Sequence, residues 1–316
     1  MLALAGFVGG FAVGLTGMGG GALMTPALVL LFKVDPKVAV ASDLVNSLVM
    51  KPIGGTVHVR RGTIHWRLVA LMAAGSVPAA FFGAFVLNQF GDSKAVQADI
   101  KALLGWALLV ASMAIIAKAV LTVRENRRLT ALGLQPNLEP HSIKPASTLL
   151  VGVTGGFIVG MTSVGSGSLM IVMLLFLYPA IGANQLVGTD LTQAVPLTLA
   201  AALGALVFGH VEFGLTASLI LGSVPAVFVG SLLSSTVPDR YVRPAIGFVI
   251  FASGLKYVGL NTTALGWTLC AVLLAAAVAW LVFARPWRAA QARAQAVVTP
   301  LQSEAETPEL VTQQRP

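Results

Sequence analysis

Apolar stretches long enough to cross a membrane alternate with short polar turns along this chain, and the first stretch is interrupted near its middle. It runs from about residue 1 to 34 and would be roughly 50 Å long as one straight helix at 1.5 Å per residue. Four glycines near its centre disfavour a continuous helix, namely Gly17, Gly19, Gly20 and Gly21. The pattern predicts two short helices that meet at a glycine-rich turn, arranged as a re-entrant hairpin or as two tilted crossings.

Three further apolar segments complete the first half of the chain. They predict helices at about 38–58, 66–88 and 102–121. A basic turn follows the first of these helices and contains Arg60, Arg61 and Arg67. The segment that follows residue 121 is rich in charge and in proline, which breaks regular structure, and we predict a linker there.

The second half repeats the pattern of the first. The stretch GLTGMGGGALMTP at 14–26 returns as GMTSVGSGSLMIV at 160–172, and ten of the eighteen residues from 9 to 26 match those 146 positions later. With one residue inserted, GSVPA at 75–79 recurs at 222–226 and Asp43 aligns with Asp190. These matches predict an internal duplication. The second half of the chain has a broken block and then apolar helices, at about 147–178, 184–208, 214–236, 242–260 and 264–284.

Charge in two equivalent turns indicates how the copies are oriented. The turn at 59–67 has three arginines, whereas its counterpart at 206–214 has His210 and Glu212 and neither lysine nor arginine. Because basic residues favour the cytoplasmic side, equivalent turns are predicted to face opposite sides of the membrane. The N-terminus is then outside and the C-terminus cytoplasmic. Lys33 and Lys37 also lie outside in this arrangement, against the charge bias.

The predicted fold class is an all-α polytopic membrane protein with two inverted-topology repeats. Each repeat has a glycine-rich broken helix or re-entrant hairpin followed by about three transmembrane helices, and one extra transmembrane helix follows the second repeat. The predicted divisions are a first repeat, a cytoplasmic linker, a second repeat, an additional helix and a disordered cytoplasmic tail, at 1–121, 122–146, 147–260, 261–285 and 286–316.

Composition supports the membrane class and excludes others. Hydrophobic residues make up 56% of the chain and charged residues 10%, and the mean hydropathy is +0.86. The net charge of +8 is carried mostly between apolar segments and in the tail, so we predict no nucleic-acid partner. Because no lysine or arginine precedes Lys33, we expect no cleaved signal peptide. The single cysteine, Cys270, lies in an apolar segment and is expected to serve packing.

Polar residues inside an apolar helix are candidates for function, because charge is costly there. In the helix that starts near 38, one face carries Asp43, Asn46, Ser47, Lys51, Gly54 and His58. The alternative interpretation is that Ser42 and Asp43 cap the helix and that Lys51 pairs with a carboxylate. The second copy keeps Asp190, has Gln193 for Asn46 and Thr198 for Lys51. We therefore predict that Asp43 and Asp190 gate transport or couple it to protons, and that Lys51 provides the cation for an anionic substrate, with Asn46 and Gln193 beside it.

The glycine motifs are candidate anion sites, because short helices that open after glycine present unpaired backbone N–H groups to a ligand. Nearby hydroxyl groups add donors. The predicted substrate-binding residues of the two motifs are Thr16, Gly17, Gly19, Gly20, Gly21, Thr162, Ser163, Gly165, Ser166 and Gly167. Close helix packing is the competing explanation of these small residues.

The two glycine motifs, GTDL at 188–191 and the GSVP blocks at 75–78 and 222–225 resemble the sulfite exporter TauE/SafE family of membrane permeases over about residues 4–260. The resemblance implies a multi-pass transporter of the plasma (inner) membrane that moves small anions, often sulfur-containing ones such as sulfite or organosulfonates, with export as the expected direction.

The expected partners are a small anionic substrate and the lipid bilayer, while self-association into a homo-oligomer is left open. A passive anion channel is the alternative function, although paired aspartates would repel a permeant anion unless protonated. An intramembrane enzyme ranks third, because the sequence has no HExxH, GxSxG or cysteine cluster. It also has no GxxxxGK[ST] motif for nucleotide hydrolysis, and we predict no cofactor, no metal and no enzymatic activity.

Overall fold

The computed structural model describes residues 1–16, 20–60, 64–91, 93–131, 143–178, 181, 183–233 and 239–275. The chain divides into two compact units, Met1–Leu260 and Asn261–Pro316. Over the described ranges the regular structure is helical, with one isolated bridge between Gly165 and Gly167. The all-α class predicted from the sequence is therefore confirmed.

Ten helices are described in the first unit, and they follow the apolar segments of the sequence. They are α1 (Leu2–Thr16), α2 (Gly21–Leu30), α3 (Pro36–Arg60), α4 (Trp66–Gln89), α5 (Lys94–Ala131), α6 (Pro145–Thr162), α7 (Leu169–Leu177), α8 (Ala183–Phe208), α9 (Phe213–Leu233) and α10 (Asp239–Tyr257). In the second unit an apolar helix, α11, spans Thr262–Ala275. The predicted tail at 286–316 lies outside the described residues.

Five segments of the described chain are long and apolar enough to cross a membrane by length and composition. They are Trp66–Gln89, Lys94–Ala117, Pro145–Thr162, Gly188–Phe208 and Phe213–Leu233. By contrast, α2 and α7 have 10 and 9 residues. At 1.5 Å per residue each reaches about 15 Å, roughly half of a hydrocarbon core of about 30 Å. These helices together make the chain a multi-pass membrane protein in which α2 and α7 are too short to span alone.

Both apolar blocks that contain a glycine motif are broken, as the sequence predicts. In the first block α1 ends at Thr16 and α2 begins at Gly21. In the second block the break covers residues 163–168, where Gly165 and Gly167 have φ angles of 125° and 86°. L side chains rarely adopt these angles, so glycine is required at both positions. Ser163, the residue that follows the last residue of α6, has a left-handed backbone conformation with φ 58°.

Helix α5 is longer at both ends than the predicted 102–121. It begins at Lys94 after Ser93, whose hydroxyl accepts a 3.3 Å hydrogen bond from the Val96 N–H, so much of the predicted mixed-charge loop is helical. At the other end it continues to Ala131, ten residues into the segment predicted as a linker. Residues 122–131 contain neither proline nor glycine, and charge does not prevent helix formation outside an apolar environment.

The first helix of each half packs closely against a helix of the other half. Helix α1 packs on α9, and α6 packs on α4. A Cβ atom added at Gly10 would overlap the backbone of Ser223, and one added at Gly156 would overlap that of Ser76. These two contacts correspond through the sequence repeat, since Gly156 lies 146 positions after Gly10 and Ser223 lies 147 after Ser76. Equivalent helices of the two halves thus have equivalent partners.

Candidate functional site

The polar residues predicted to share one face of α3, which we call the polar stripe, begin with side chains in the interior of the first unit. Asp43 and Asn46 are fully buried, Ser47 is 1% exposed and Lys51 is 5% exposed. The environments of Gly54 and His58 lie outside the part that the structure describes. Burial of charged and amide groups on one face is costly unless they are paired, so the partners of these groups determine what the stripe can do.

The N-terminal cap of α3 is Asp35, so the interpretation of Ser42 and Asp43 as a cap is wrong. The Lys37 N–H donates to Asp35 Oδ1 at 2.9 Å, at the start of the helix. Asp43 lies two turns further on, within the helix. A buried carboxylate at this position has no role at a helix end.

Asp43 binds hydroxyl groups from both broken helices. Its Oδ2 accepts hydrogen bonds from Ser163 Oγ at 2.7 Å and from Thr25 Oγ1 of α2 at 3.0 Å. Its Oδ1 is buried without a hydrogen-bond partner, although the Asn46 side chain approaches the same carboxylate. One carboxylate oxygen therefore joins the two halves, while the other keeps capacity for a donor.

Lys51 connects α3 to the glycine-rich break of the second half. Its Nζ donates to Ser166 Oγ at 2.9 Å, between residues 115 positions apart in sequence. The carboxylates of Asp190 and Asp43 both lie within electrostatic range of this ammonium group. A buried cation thus lies beside the break that precedes α7.

Asp190, on α8, holds the same break from its other side. Its Oδ2 accepts a 2.7 Å hydrogen bond from the backbone N–H of Gly167, and its Oδ1 accepts one from Gln193 Nε2 at 3.2 Å. Gln193 Nε2 also contacts Met170 Sδ of α7 at 3.2 Å. The carboxylate therefore accepts the hydrogen bond of a backbone N–H next to the N-terminus of α7, where the helix dipole favours negative charge.

Two equivalent hydrogen bonds connect α3 and α8 to the opposite halves. Ser223 Oγ of α9 donates to Asn46 Oδ1 at 2.7 Å, and Ser76 Oγ of α4 donates to Gln193 Oε1 at 3.0 Å. All four side chains are fully buried. Both amides are therefore held by a serine of the other half.

The structure brings most of the predicted site residues into one buried region, which we call the polar cluster. Its members are Asp43, Asn46, Lys51, Ser163, Ser166, Gly167, Asp190 and Gln193. Gly21 packs against the backbone of Ser163, so the two breaks touch. Gly20 lies near the side chains of Met50 and Ser47. Gly17 and Gly19 are outside the described residues.

Three other predicted residues serve the local backbone. Thr16 Oγ1 donates to Ala12 O at 2.7 Å, and Thr162 Oγ1 donates to Ile158 O at 2.7 Å, each within its own helix. The Val164 N–H donates to Thr162 Oγ1 at 3.1 Å, which supports the end of α6. Gly165 contributes its backbone conformation, and its φ of 125° turns the chain.

Sequence analysis did not identify Thr25, Ser76 and Ser223, which donate hydrogen bonds to members of the polar cluster. Ser76 and Ser223 lie in the GSVPA blocks that are identical in both halves, so their repetition was the available signal. Thr25 has isoleucine at the equivalent position, Ile171, and offered no such signal. Within the described residues no group of three or more His, Cys, Asp or Glu side chains has the arrangement of a metal site.

Comparison with known proteins gives one family. A model of the family described as sulfite exporter TauE/SafE matches residues 2–257. The probable membrane transporter protein YjnA of Bacillus subtilis (strain 168) is 39% identical over 259 residues, which cover 81% of this chain and 98% of that protein. The probable membrane transporter protein YdhB of the same organism is 22% identical over 255 residues, with the same shares covered. No solved structure matches the chain.

Proposed function

We propose that this chain, which belongs to the sulfite exporter TauE/SafE family, is a secondary transporter that moves small anions across the plasma (inner) membrane. The substrates are sulfur-containing anions such as sulfite or an organosulfonate, and the direction is export. The family's description supports this substrate class. The relatives that match over most of their length are described as membrane transporters, which supports transport over enzymatic activity.

One observation carries the proposal, namely the buried ammonium group of Lys51 at the glycine-rich break of the second half. An anion at this break would lie beside Lys51 and the Ser166 hydroxyl, which are hydrogen-bonded to each other. It would also bind the Ser163 hydroxyl and the Gly167 N–H if it displaced the carboxylates of Asp43 and Asp190, which accept from these two donors. Together these are the donors that stabilise an oxyanion away from water. The break contacts α3 of the first half and α8 of the second, so movement of one half against the other would open or close the site.

The two halves form inverted repeats in this proposal, and alternating access arises from their relative movement. Helix α1 of the first half packs on α9 of the second, and α6 of the second half packs on α4 of the first. This reciprocal packing supports a two-fold relationship. The different charges of the turns at 59–67 and 206–214 support the inversion, with the N-terminus outside and the C-terminus in the cytoplasm. The polar cluster then lies where transporters of this design bind substrate, at broken helices between repeats.

Asp43 and Asp190 link transport to protons in this proposal. Each carboxylate binds a residue of the break before α7, Asp43 through Ser163 and Asp190 through Gly167. Protonation of either group changes the charge beside Lys51, which alters the attraction for an anion. In this proposal the two carboxylates bind protons beside the substrate.

The test is a flux assay with the purified chain in proteoliposomes. Sulfite, sulfoacetate, sulfate and small carboxylates are compared, with and without a pH gradient. We expect saturable flux of at least one sulfur-containing anion that a pH gradient drives. Flux that is linear in concentration and unaffected by the pH gradient would identify a passive channel instead, and the absence of flux for every anion would contradict the proposal.

A further inference from the structure

A cavity outside the polar cluster gathers lysines from three separate elements of the first unit. Its volume is about 210 Å³, and it is lined by Lys33 between α2 and α3, Lys101 of α5 and Lys256 of α10. The rest of the lining is apolar or aromatic, from Val29, Leu30, Val34 and Tyr257. All three lysines are exposed, so the cavity is accessible to a ligand from outside the protein.

Local structure holds these lysines near the ends of apolar helices. Lys33 follows α2 with a left-handed φ of 59°, and the adjacent Val34 N–H donates to Leu28 O at 3.1 Å across this turn. Lys256 lies in the last turn of α10. Lys101 lies two turns after the start of α5. The ends of membrane helices lie at the level of the lipid headgroups, where lysine and tyrosine are common.

The charges around this cavity favour an anionic ligand. Among the residues that the structure describes, the lining has three lysines and no carboxylate. Asp35 and Asp99, each two residues from one of these lysines, do not line it, and Asp35 caps α3 instead. A negatively charged ligand in this space would be attracted by three ammonium groups at once.

We propose that the cavity binds the phosphate group of an anionic phospholipid. The lysine ammonium groups donate hydrogen bonds to the phosphate oxygens. Val29, Leu30 and Val34 form an apolar wall for the glycerol and first acyl carbons. The Tyr257 hydroxyl donates to Thr25 O at 3.3 Å, which fixes the ring against α2. A free oxyanion would use the lysines and leave the apolar wall without a partner. The bound lipid joins the turn after α2 to α5 and α10.

The experiment uses the entire 316-residue chain, purified in a neutral detergent and freed of lipid. Binding of dioctanoyl phosphatidylglycerol is measured by native mass spectrometry, beside dioctanoyl phosphatidylcholine, glycerol 3-phosphate and inorganic phosphate. We expect saturable binding of phosphatidylglycerol that is tighter than that of the other three. Lys33→Gln, Lys101→Gln and Lys256→Gln should each weaken it about fivefold, since a lysine near anionic lipid contributes about that factor. The double variant Lys94→Gln with Lys144→Gln removes two other exposed lysines and should bind as wild type does.

Two results would overturn the proposal. Equal phosphatidylglycerol binding by wild type and by the triple glutamine variant would show that the lysines form no site. Equal affinity for glycerol 3-phosphate, inorganic phosphate and phosphatidylglycerol would identify a site for free oxyanions rather than lipid. If the triple variant fails to fold, the test uses Lys101→Gln alone and a sodium chloride titration of the wild type. The proposed binding must weaken in the variant and with rising salt, because salt screens exposed charges, and binding that is unchanged in both would overturn the proposal. Transport activity does not enter this test.

Discussion

The backbone N–H of Gly167 donates a 2.7 Å hydrogen bond to Oδ2 of Asp190, so a carboxylate of the protein occupies the donor that an anion would use. Gln193 holds the second oxygen of the same carboxylate at 3.2 Å. Under the proposed function, a substrate that binds Gly167 must displace this carboxylate. Under the same proposal, protonation of Asp190 would remove the competing charge and so link proton binding to anion binding through the Gly167 N–H.

We expect Asp190→Asn to separate anion movement from proton movement. The amide keeps an oxygen that can accept from Gly167, but it has no charge to neutralise. In proteoliposomes the variant should carry the anion down its own gradient and lose accumulation driven by a pH gradient. Thr198→Ala, a buried polar position on the same helix whose hydroxyl donates to Ala194 O, is the matched control and should keep pH-driven accumulation. Wild-type accumulation by Asp190→Asn would disprove the coupling role.

Lys51→Met should reduce anion affinity strongly. A hydrogen bond to a charged group contributes about 1.5–3 kcal/mol, so we expect binding to weaken roughly 10- to 150-fold. The measurement is the concentration dependence of flux for the anion that the proteoliposome panel identifies. Lys51→Arg keeps the charge and should retain more activity than Lys51→Met. Equal flux by Lys51→Met and wild type would exclude Lys51 from substrate binding.

The Lys51→Met variant also leaves two buried carboxylates without their cation, which lowers stability, so lost flux alone is ambiguous. Combining it with Asp190→Asn removes one charge of each sign. We expect the double variant to unfold at a higher temperature in detergent than Lys51→Met, while its anion affinity stays low. Recovery of affinity together with stability would show that Lys51 serves the fold and not the substrate.

Sequence periodicity was sufficient to predict the helix breaks and the polar stripe, because both depend on residues close together in the chain. Asp43, Asn46 and Lys51 share one face of α3 through helical spacing alone, and glycine runs disfavour a helix wherever they occur. The alignment of Asp43 with Asp190 came from the repeat. Hydropathy located α5 but missed its ends, because it marks the apolar part of a helix and not its full length.

The partners within the polar cluster could not be predicted in this way. Lys51 and Ser166 are 115 residues apart, and Asp43 and Ser163 are 120 apart, so their contacts depend on how whole helices pack. Glycine illustrates the same limit. The sequence left substrate binding and helix packing as alternatives for the motifs. The packing role is clear at Gly14 and Gly160, the first residue of each motif, where an added Cβ atom would overlap the backbone of Val227 and of Ala80.

Gly10→Ala and Gly156→Ala should each destabilise the protein. The added methyl group would overlap the backbone of Ser223 in the first case and of Ser76 in the second. Overpacking typically costs about 1–3 kcal/mol, so the midpoint of thermal unfolding in detergent should fall by several degrees. Gly214→Ala, in open space on α9, is the control and should leave the midpoint unchanged or slightly raised. Unchanged midpoints for both test variants would contradict close packing of α1 on α9 and of α6 on α4.

Labelling of two equivalent turns should reveal opposite orientations of the halves. Arg67 and Glu212 are both exposed and lie in turns that correspond through the repeat, and Cys270→Ala provides a background without cysteine. In intact cells a membrane-impermeant maleimide should modify Glu212→Cys, whereas Arg67→Cys should react only after the membrane is opened. Both proteins should react equally in detergent, which controls for local accessibility. Because an inverted repeat places equivalent turns on opposite sides, labelling of both from the same side would rule out inversion and require a different mechanism for access to the polar cluster.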